Sequence, residues 1–292
     1  MNNGQIYLDY AATTPTDRRV LEAMLPYFSE VFGNPSSIHR FGQDGEAAVE
    51  EARETTAGIL NCSPSEVVFT SCGSESDNFA LRGAAFAARE RRGASRILIS
   101  PVEHHAVSHT ARQLGKLHGF SIEELSVDEY GAVLVDAALS RLGPDVAVVS
   151  AIHANNEIGT INPIEEIGAA CRERGIPFHT DSVQAAAYLP VDVQSLNVDL
   201  LSLGAHKFYG PKGVGALYVR KGTPIVPVQT GGAQEGGLRA GTQNVPYIVG
   251  FAEALRLTNE EREDRQAHVM PLRDRIIGTV LEEIPQSKLT GH

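Results

Sequence analysis

The residues of this chain that are best placed to do chemistry are polar side chains that follow short apolar segments. Lys207 comes after the apolar segment 200–203, between His206 and a glycine-rich turn. A lysine amine can form an imine with a carbonyl compound when its surroundings lower its pKa. A lysine that packs its stem and keeps its ammonium in water is the structural alternative. The surrounding sequence, Ala-His-Lys-Phe-Tyr-Gly-Pro-Lys-Gly, favours the chemical role.

Asp181 and Gln184 form a second group, after the apolar run 176–178. A carboxylate upstream of a reactive lysine is what pyridoxal 5'-phosphate (PLP) needs, because it keeps the pyridine nitrogen protonated and lets the ring accept electrons. Gln184 is placed to donate a hydrogen bond to the ring hydroxyl. The structural alternative for Asp181 is a helix N-cap.

A third group lies in the segment 70–78, Thr-Ser-Cys-Gly-Ser-Glu-Ser-Asp-Asn. It predicts a strand that runs into a glycine turn and then a helix. Backbone N–H groups at a helix start bind phosphate, so Gly73 and Ser74 are candidate phosphate ligands. Ser-x-x-Asp is also an ordinary helix cap, and this interpretation stays open for Ser74 and Asp77.

Two further loops carry candidate residues. His104 follows the apolar run 97–99, where an imidazole can stack on an aromatic cofactor, although an isolated histidine is more often structural. Asn156 follows the segment 146–152, where it can bind the ring oxygen or a substrate carboxylate, although asparagine also forms turns.

The elements that must position these residues alternate between strands and helices, which predicts an α/β fold with a mostly parallel sheet and helices on both faces. In such a sheet, ligands bind outside the carboxyl ends of the strands, where the candidate residues lie. The predicted strands are 67–69, 97–99, 146–149, 200–203 and 216–219, and the predicted helices lie near 43–60, 75–92, 104–118 and 163–174.

Composition narrows the functional class. The 292 residues carry 25 Lys+Arg against 36 Asp+Glu, a net charge of −11, which argues against direct nucleic-acid binding. No run is long and apolar enough for a membrane span, and the start lacks the pattern of a signal peptide. Three widely spaced cysteines form no disulfide framework, which favours a cytoplasmic location, and we expect no metal site.

Together these motifs resemble those of the cysteine desulfurases, in the class V aminotransferase group of fold-type I PLP enzymes. The resemblance extends over the whole chain. It rests on the Lys207 motif, on His-x-Asp-x-x-Gln at 179–184 and on Asn-Asn-Glu-Ile-Gly at 155–159. Two further segments contribute, Tyr-Leu-Asp-Tyr-Ala-Ala-Thr-Thr-Pro at 7–15 and Gly-Asn-Pro-Ser-Ser-Ile-His at 33–39.

The resemblance implies a role for each matching residue. Lys207 is expected to be the Schiff-base lysine, Asp181 the pyridinium partner, Gln184 the ring-hydroxyl donor and His104 the stacking histidine. Asn156 is expected near the ring and substrate. The expected phosphate ligands are Ser74, His206 and, in the neighbouring subunit of a homodimer, Thr242.

Three departures from the family pattern stand out. Cys72-Gly73-Ser74 replaces a turn that commonly ends in Thr, and Gly204 stands where many relatives have a phosphate-binding Ser. The family's nucleophilic Cys loop and its carboxylate-binding Arg have no match, and Cys62, Cys72 and Cys171 do not correspond to the persulfide cysteine. We therefore expect PLP to bind weakly or partly, and little sulfide to be released.

The implied reaction converts L-cysteine to L-alanine and leaves sulfur as a protein persulfide. The sulfur acceptor stays open among iron–sulfur scaffold proteins, tRNA thiolation and DNA modification. The alternatives are another enzyme of the group, such as a selenocysteine lyase, a kynureninase-like hydrolase or an aminotransferase, or a non-catalytic truncated paralogue. The predicted domains are an N-terminal segment (1–14), a large PLP-binding domain (15–250), and a linking helix with the start of a truncated small domain (251–292). The charged helical stretch at 246–285 is predicted to be broken by Pro271.

Overall fold

A single seven-stranded sheet organises the protein. The computed structural model describes residues 5–292, so the first four residues of the predicted N-terminal segment lie outside the described residues. The sheet has the order β1-β7-β6-β5-β4-β2-β3. Its strands are β1 (Val67–Thr70), β2 (Arg96–Ile99), β3 (Ser121–Glu124), β4 (Val146–Ser150), β5 (Phe178–Asp181), β6 (Leu200–Gly204) and β7 (Gly215–Val219).

The strand directions bring the candidate residues to one edge. Strands β3, β2, β4, β5 and β6 pair in parallel. Strand β7 runs antiparallel to β6, and β1 runs antiparallel to β7, so that β1 points the same way as β6. The carboxyl ends of β1, β2, β4, β5 and β6 therefore lie on the same side, where a ligand site is expected in an open sheet.

Helices cover both faces of the sheet, as the sequence predicts. One face packs against α4 and α5, and the other against α1, α3, α7 and α8. The helices are α1 (Arg18–Met24), α2 (Pro26–Ser29), α3 (Arg40–Leu60), α4 (Gly73–Arg92), α5 (His105–His118), α6 (Val135–Leu139), α7 (Ile164–Glu173), α8 (Val245–Glu260) and α9 (Arg262–Glu283). None of those in the described part of the chain is long and apolar enough to cross a membrane.

The last two helices correct one expectation about the residues after 245. Pro271 does not break the helical stretch: it lies inside α9, and the break falls at Glu261. Proline removes the bond to the carbonyl four residues earlier, here that of Ala267. Because Ala267 is exposed, water can hydrate that carbonyl. Helix α8 packs on α3 and α1 and runs across residue 250.

A buried ion pair holds the loop before α8 against β1. The guanidinium of Arg53 contacts both carboxylate oxygens of Glu235, at 2.7 and 3.0 Å, and also donates to the Val67 carbonyl at 2.7 Å. The Phe69 amide donates to Glu235 at 2.8 Å. This bidentate arrangement fixes a loop that otherwise has little regular structure.

We expect Glu235→Ala to lower the free energy of unfolding by about 3–5 kcal/mol, because it removes the buried partner of the Arg53 charge and leaves only an exposed one. Glu50 is the matched control: it contacts the same guanidinium at 3.0 Å, but its side chain is 52% exposed. Glu50→Ala should cost less than about 1 kcal/mol. Urea unfolding of both variants measures the difference, and equal losses would contradict the assignment.

Candidate active site

A cavity of about 280 Å³ opens at the carboxyl edge of the sheet. Loops after β1, β2, β4, β5 and β6 form its wall, together with Ala12 of the N-terminal segment. The structure brings together all of the predicted cofactor ligands except Thr242. Those that line the cavity are Gly73, Ser74, His104, Asn156, Asp181, Gln184, His206 and Lys207.

Lys207 lies in a short 3-10 turn directly after β6, with its ammonium turned toward the N-terminal segment. Nζ donates to the carbonyls of Ala11 and, at 2.9 Å, Ala12. Partial burial lowers the pKa of Lys207, and the carboxylates of Asp181 and Asp9 oppose this. A lowered pKa leaves more of the amine unprotonated, which is the form that attacks a carbonyl carbon.

Asp181, the last residue of β5, lies behind the cavity and is 4% exposed. Its Oδ1 accepts a hydrogen bond from the Val183 amide at 2.9 Å. It caps no α-helix: the residues after it form a short 3-10 turn, Ala185–Ala187. Burial and the neighbouring Asp77 raise the pKa of Asp181. A buried carboxylate here is placed to pair with a positively charged ligand atom.

The first turn of α4 forms the phosphate end of the cavity. Cys72 is the N-cap residue and makes no side-chain cap bond, so the Ser-x-x-Asp cap is not formed at Ser74. Gly73 fits closely, because a Cβ at this position would lie 2.6 Å from Val183 Cγ2. At Gly204, a Cβ would lie 3.3 Å from the Gly73 nitrogen. Gly204 therefore lies where β6 closely approaches the start of α4.

His206 lies beside this helix start. Its Nδ1 is 3.1 Å from the Thr13 hydroxyl, which orients the ring. Burial lowers the pKa of His206, and the nearby Lys207 and Lys212 charges lower it further. The neutral imidazole still has one N–H to donate to an anion.

The loops after β2 and β4 divide structural and ligand roles between neighbouring residues. His104 is the N-cap of α5, and its Nδ1 accepts from the Ala106 amide at 3.1 Å. This hydrogen bond fixes the orientation of the His104 ring, and His104 also lines the cavity.

In the loop after β4, Asn155 forms the turn, accepting from the amides of Glu157 and Ile158 at 2.8 and 2.9 Å. The Asn156 side chain makes no hydrogen bond within the part of the chain that the structure describes.

Gln184 provides a test of whether a cofactor fits. Its Oε1 is buried and has no hydrogen-bond partner among the described residues. An unpaired buried amide oxygen is costly, so a group that enters the cavity and bonds to this amide gains free energy. In PLP, the ring hydroxyl matches the Gln184 amide and the ring nitrogen matches the Asp181 carboxylate. The phosphate matches the start of α4. The residues present therefore fit PLP.

Thr242 is exposed and lies outside this cavity. Its loop is tied to α4 by Arg239, whose Nε is 2.8 Å from Glu75 Oε1. The Ser71 amide donates to the other oxygen of Glu75 at 2.7 Å. Thr242 is therefore held near the start of α4, but it lines a separate pocket with Ser71 and Arg239.

Asp77, which the sequence offers only as part of a cap-like Ser-x-x-Asp, lines the cavity beside Asp181 and is almost fully buried. Burial raises the pKa of Asp77 to about 7. The sequence pattern hides this position because Asp77 shares a segment with a cap-like Ser-x-x-Asp. Helical spacing is the sequence signal for this position, because Asp77 lies one turn after Gly73 and therefore on the same face of α4.

His153 behind the cavity gives a pH-dependent prediction. Burial lowers its pKa to about 4, and its Nδ1 is 3.1 Å from the Ser182 hydroxyl. Between pH 6.5 and 4 the unfolded chain binds a proton that the folded site resists, so this histidine weakens the fold as the pH falls. His153→Asn removes that titration. As the pH falls, the free energy of unfolding of the variant should rise relative to that of the parent, by at most about 1.4 kcal/mol per pH unit.

Urea unfolding at pH 7, 6, 5 and 4 measures this change. The control is His268→Asn, at an exposed position on α9. A stability difference for His153→Asn that does not vary with pH would contradict the neutral assignment.

The α/β fold and this cavity define a class: enzymes that hold a phosphorylated aromatic cofactor at the carboxyl edge of a mostly parallel sheet. The chain matches the class-V aminotransferase family over residues 6–292. It is 49% identical to the cysteine desulfurase IscS of Methanosarcina thermophila over 290 residues, which are 99% of this chain and 71% of that protein. The chain belongs to the class-V aminotransferase family and, within it, to the cysteine desulfurases.

Solved structures agree with this assignment. A NifS-like protein superposes with a TM-score of 0.91 at 40% identity, covering 95% of this chain and 76% of that one. SspA, solved in complex with cysteine, superposes with a TM-score of 0.82 at 42% identity, covering 86% of this chain and 72% of the other. The predicted α/β fold and family are confirmed.

Proposed function

We propose that the chain binds PLP through Lys207 and uses it to act on L-cysteine as a cysteine desulfurase. The observation that carries this proposal is one cavity that holds a lysine of lowered pKa, a buried carboxylate and an uncapped helix start. The complex of the similar protein SspA with cysteine supports L-cysteine as the substrate.

When bound, PLP supplies an aldehyde and a ring that accepts electrons from the substrate Cα. The residues of the chain do the rest. The α4 amides, Ser74 and His206 would hold the phosphate, and Asp181 would place a negative charge at the ring nitrogen. Lys207 would supply the amine for the aldehyde, and its Nζ would carry the Cα proton of the substrate.

The sulfur-transfer step needs a thiolate, and two of the three cysteines do not suit it. Burial raises the pKa of Cys62 and of Cys171 to about 12, so that both stay thiols at neutral pH. Cys72 lines the cavity, but at the phosphate end beside Gly73. We therefore expect sulfur to leave L-cysteine readily only when a suitable acceptor thiol is supplied.

The test separates proton movement from sulfur transfer. In D₂O, the PLP-loaded protein should exchange the Cα proton of L-cysteine for deuterium, because this step requires only Lys207, Asp181 and the cofactor. Mass spectrometry of the amino acid measures the exchange, and alanine formation is followed with and without an added dithiol. Cys62→Ser, at a cysteine that does not line the cavity, is the control and should exchange at the parent rate. No exchange by the parent protein would contradict the proposal.

We also propose a homodimer in which Thr242 reaches the phosphate of the neighbouring subunit. The support is its exposed place outside the cavity of its own chain, on a loop fixed by Arg239 and Glu75.

The domain boundaries at 14 and 250 stay predictions. We also propose that the chain acts with a sulfur-acceptor protein, as iron–sulfur cluster assembly or thio-modification requires. A cytoplasmic location is proposed as well, because the three free thiols suit a reducing compartment.

A further inference from the structure

Two buried carboxyl groups, not one, line the cavity. Asp77 comes from the first turns of α4 and Asp181 from the end of β5, and they are 1% and 4% exposed. One oxygen of each carboxyl and a ring nitrogen of His104 all lie within 4.8 Å of one another. At this separation, with little water between them, two negative charges repel strongly, so one of the two groups must hold a proton.

The hydrogen bonds indicate which group carries the negative charge. Asp181 accepts a backbone N–H from Val183 at 2.9 Å, and such a bond stabilises the carboxylate form. Oδ1 of Asp77 is buried and has no hydrogen-bond partner within the described residues. The Ser202 hydroxyl favours the charged form of Asp77, but burial outweighs it and raises the pKa of Asp77. A buried carboxylate oxygen without a donor is unfavourable, so the charge belongs on Asp181 and the proton on Asp77.

A neutral histidine lies beside Asp77. The ring of His179 is fully buried between Ser150, 2.9 Å from Nδ1, and Ser202, 3.0 Å from Nε2. The Ser150 hydroxyl donates to Glu103 at 3.1 Å, so it receives the hydrogen of Nδ1. Nε2 is then the acceptor nitrogen, which the Ser202 hydroxyl approaches and near which Asp77 Oδ1 lies at 3.5 Å.

The other charged groups around Asp77 agree with this arrangement. Burial keeps His179 neutral by lowering its pKa to about 4. Glu103, at the far end of the chain of hydrogen bonds, is also kept neutral, because burial and the two aspartates raise its pKa well above the usual range. The cationic group on the opposite side is Lys207, which acts on Asp181.

We propose that Asp77 is a positioning residue held as a neutral acid, which makes Asp181 the single carboxylate available to a pyridine nitrogen in the cavity. This inference rests on the proposed function for the identity of the ring, but not for the state of Asp77. If Asp77 ionised, a second negative charge would compete with Asp181 for the same proton. With Asp77 neutral, a protonated pyridine nitrogen in the cavity would pair with the Asp181 carboxylate alone.

Infrared spectroscopy of the cofactor-free 292-residue chain tests the protonation directly. Labelling aspartate side chains with ¹³C separates their carbonyl band from that of Glu103. At pH 7 we expect the parent protein to show a protonated aspartate band that Asp77→Asn removes. In Asp181→Asn the band of Asp77 should titrate at least one pH unit lower, because the neighbouring charge is gone. This second readout does not depend on the folding of Asp77→Asn.

Cofactor binding tests the division of roles. Asp181→Asn should speed dissociation of PLP from the loaded protein at least tenfold, and Asp77→Asn by a few-fold at most. Equal effects, or no aspartate band at pH 7 that depends on Asp77, would overturn the inference. A protein that shows the band but binds no PLP would instead contradict the proposed function and leave the acid assignment standing.

Discussion

Lys207→Ala is expected to reduce Cα proton exchange by at least about 10²–10⁴-fold, because the variant loses the amine that moves the proton. It also loses the covalent link to PLP, so the visible absorption of the bound cofactor should shift to that of noncovalent PLP. Absorption spectra and deuterium exchange from L-cysteine in D₂O measure the two losses in one preparation.

Lys212→Ala is the matched control for this variant. Lys212 belongs to the same motif, five residues further along, but it is exposed and does not line the cavity. We expect its spectrum and exchange rate to stay close to those of the parent. Exchange by Lys207→Ala at the parent rate would show that another base moves the proton.

Asp181→Asn is expected to weaken PLP binding roughly ten- to hundredfold. A hydrogen bond to a charged group contributes about 1.5–3 kcal/mol, and the neutral amide cannot hold the pyridine nitrogen in its protonated form. Equilibrium dialysis or fluorescence titration with PLP measures the change. The exchange rate at saturating PLP should fall as well, because the ring accepts electrons less readily.

Asp199→Asn controls for the loss of a partly buried carboxylate elsewhere in the sheet. Asp199 accepts from the Phe178 amide at 3.0 Å and lies 3.4 Å from Arg220, at the amino end of β5 and β6. We expect this variant to unfold more easily but to bind PLP as the parent does. Equal weakening in both aspartate variants would point to general destabilisation.

The sequence predicted the central strands well because they are continuous apolar runs. Strands β4 and β6 were each predicted to within one residue, since burial on both faces demands such runs. Strand β3, Ser121–Glu124, was missed. It lies at the sheet edge with half-exposed residues, and its sequence, Ser-Ile-Glu-Glu, carries neither an apolar run nor a clear alternation.

The candidate site was predictable where a residue follows a strand directly, and less so where a helix presents it. Lys207, Asp181 and His104 are close to the ends of β6, β5 and β2, so the topology alone brings them to one edge. Asp77 reaches the cavity from within α4. Its role depends on the depth at which that helix packs against the sheet, which local patterns do not encode.

The division of work between two adjacent asparagines also needed the structure. Either residue of the pair 155–156 can form a turn, and sequence patterns treat them alike. The hydrogen bonds assign the turn to Asn155, which leaves the Asn156 side chain for a ligand. Pro271 is a comparable case, since the exposure that lets a helix continue through a proline is a property of the folded surface.

The most direct measurement is borohydride reduction of the PLP-loaded protein, followed by proteolysis and mass spectrometry. If Lys207 holds the cofactor, the pyridoxyl mass will appear on the peptide that contains it, and Lys207→Ala will carry none. A label on Lys212 or Lys221, or no label on a protein that retains PLP, would contradict the account.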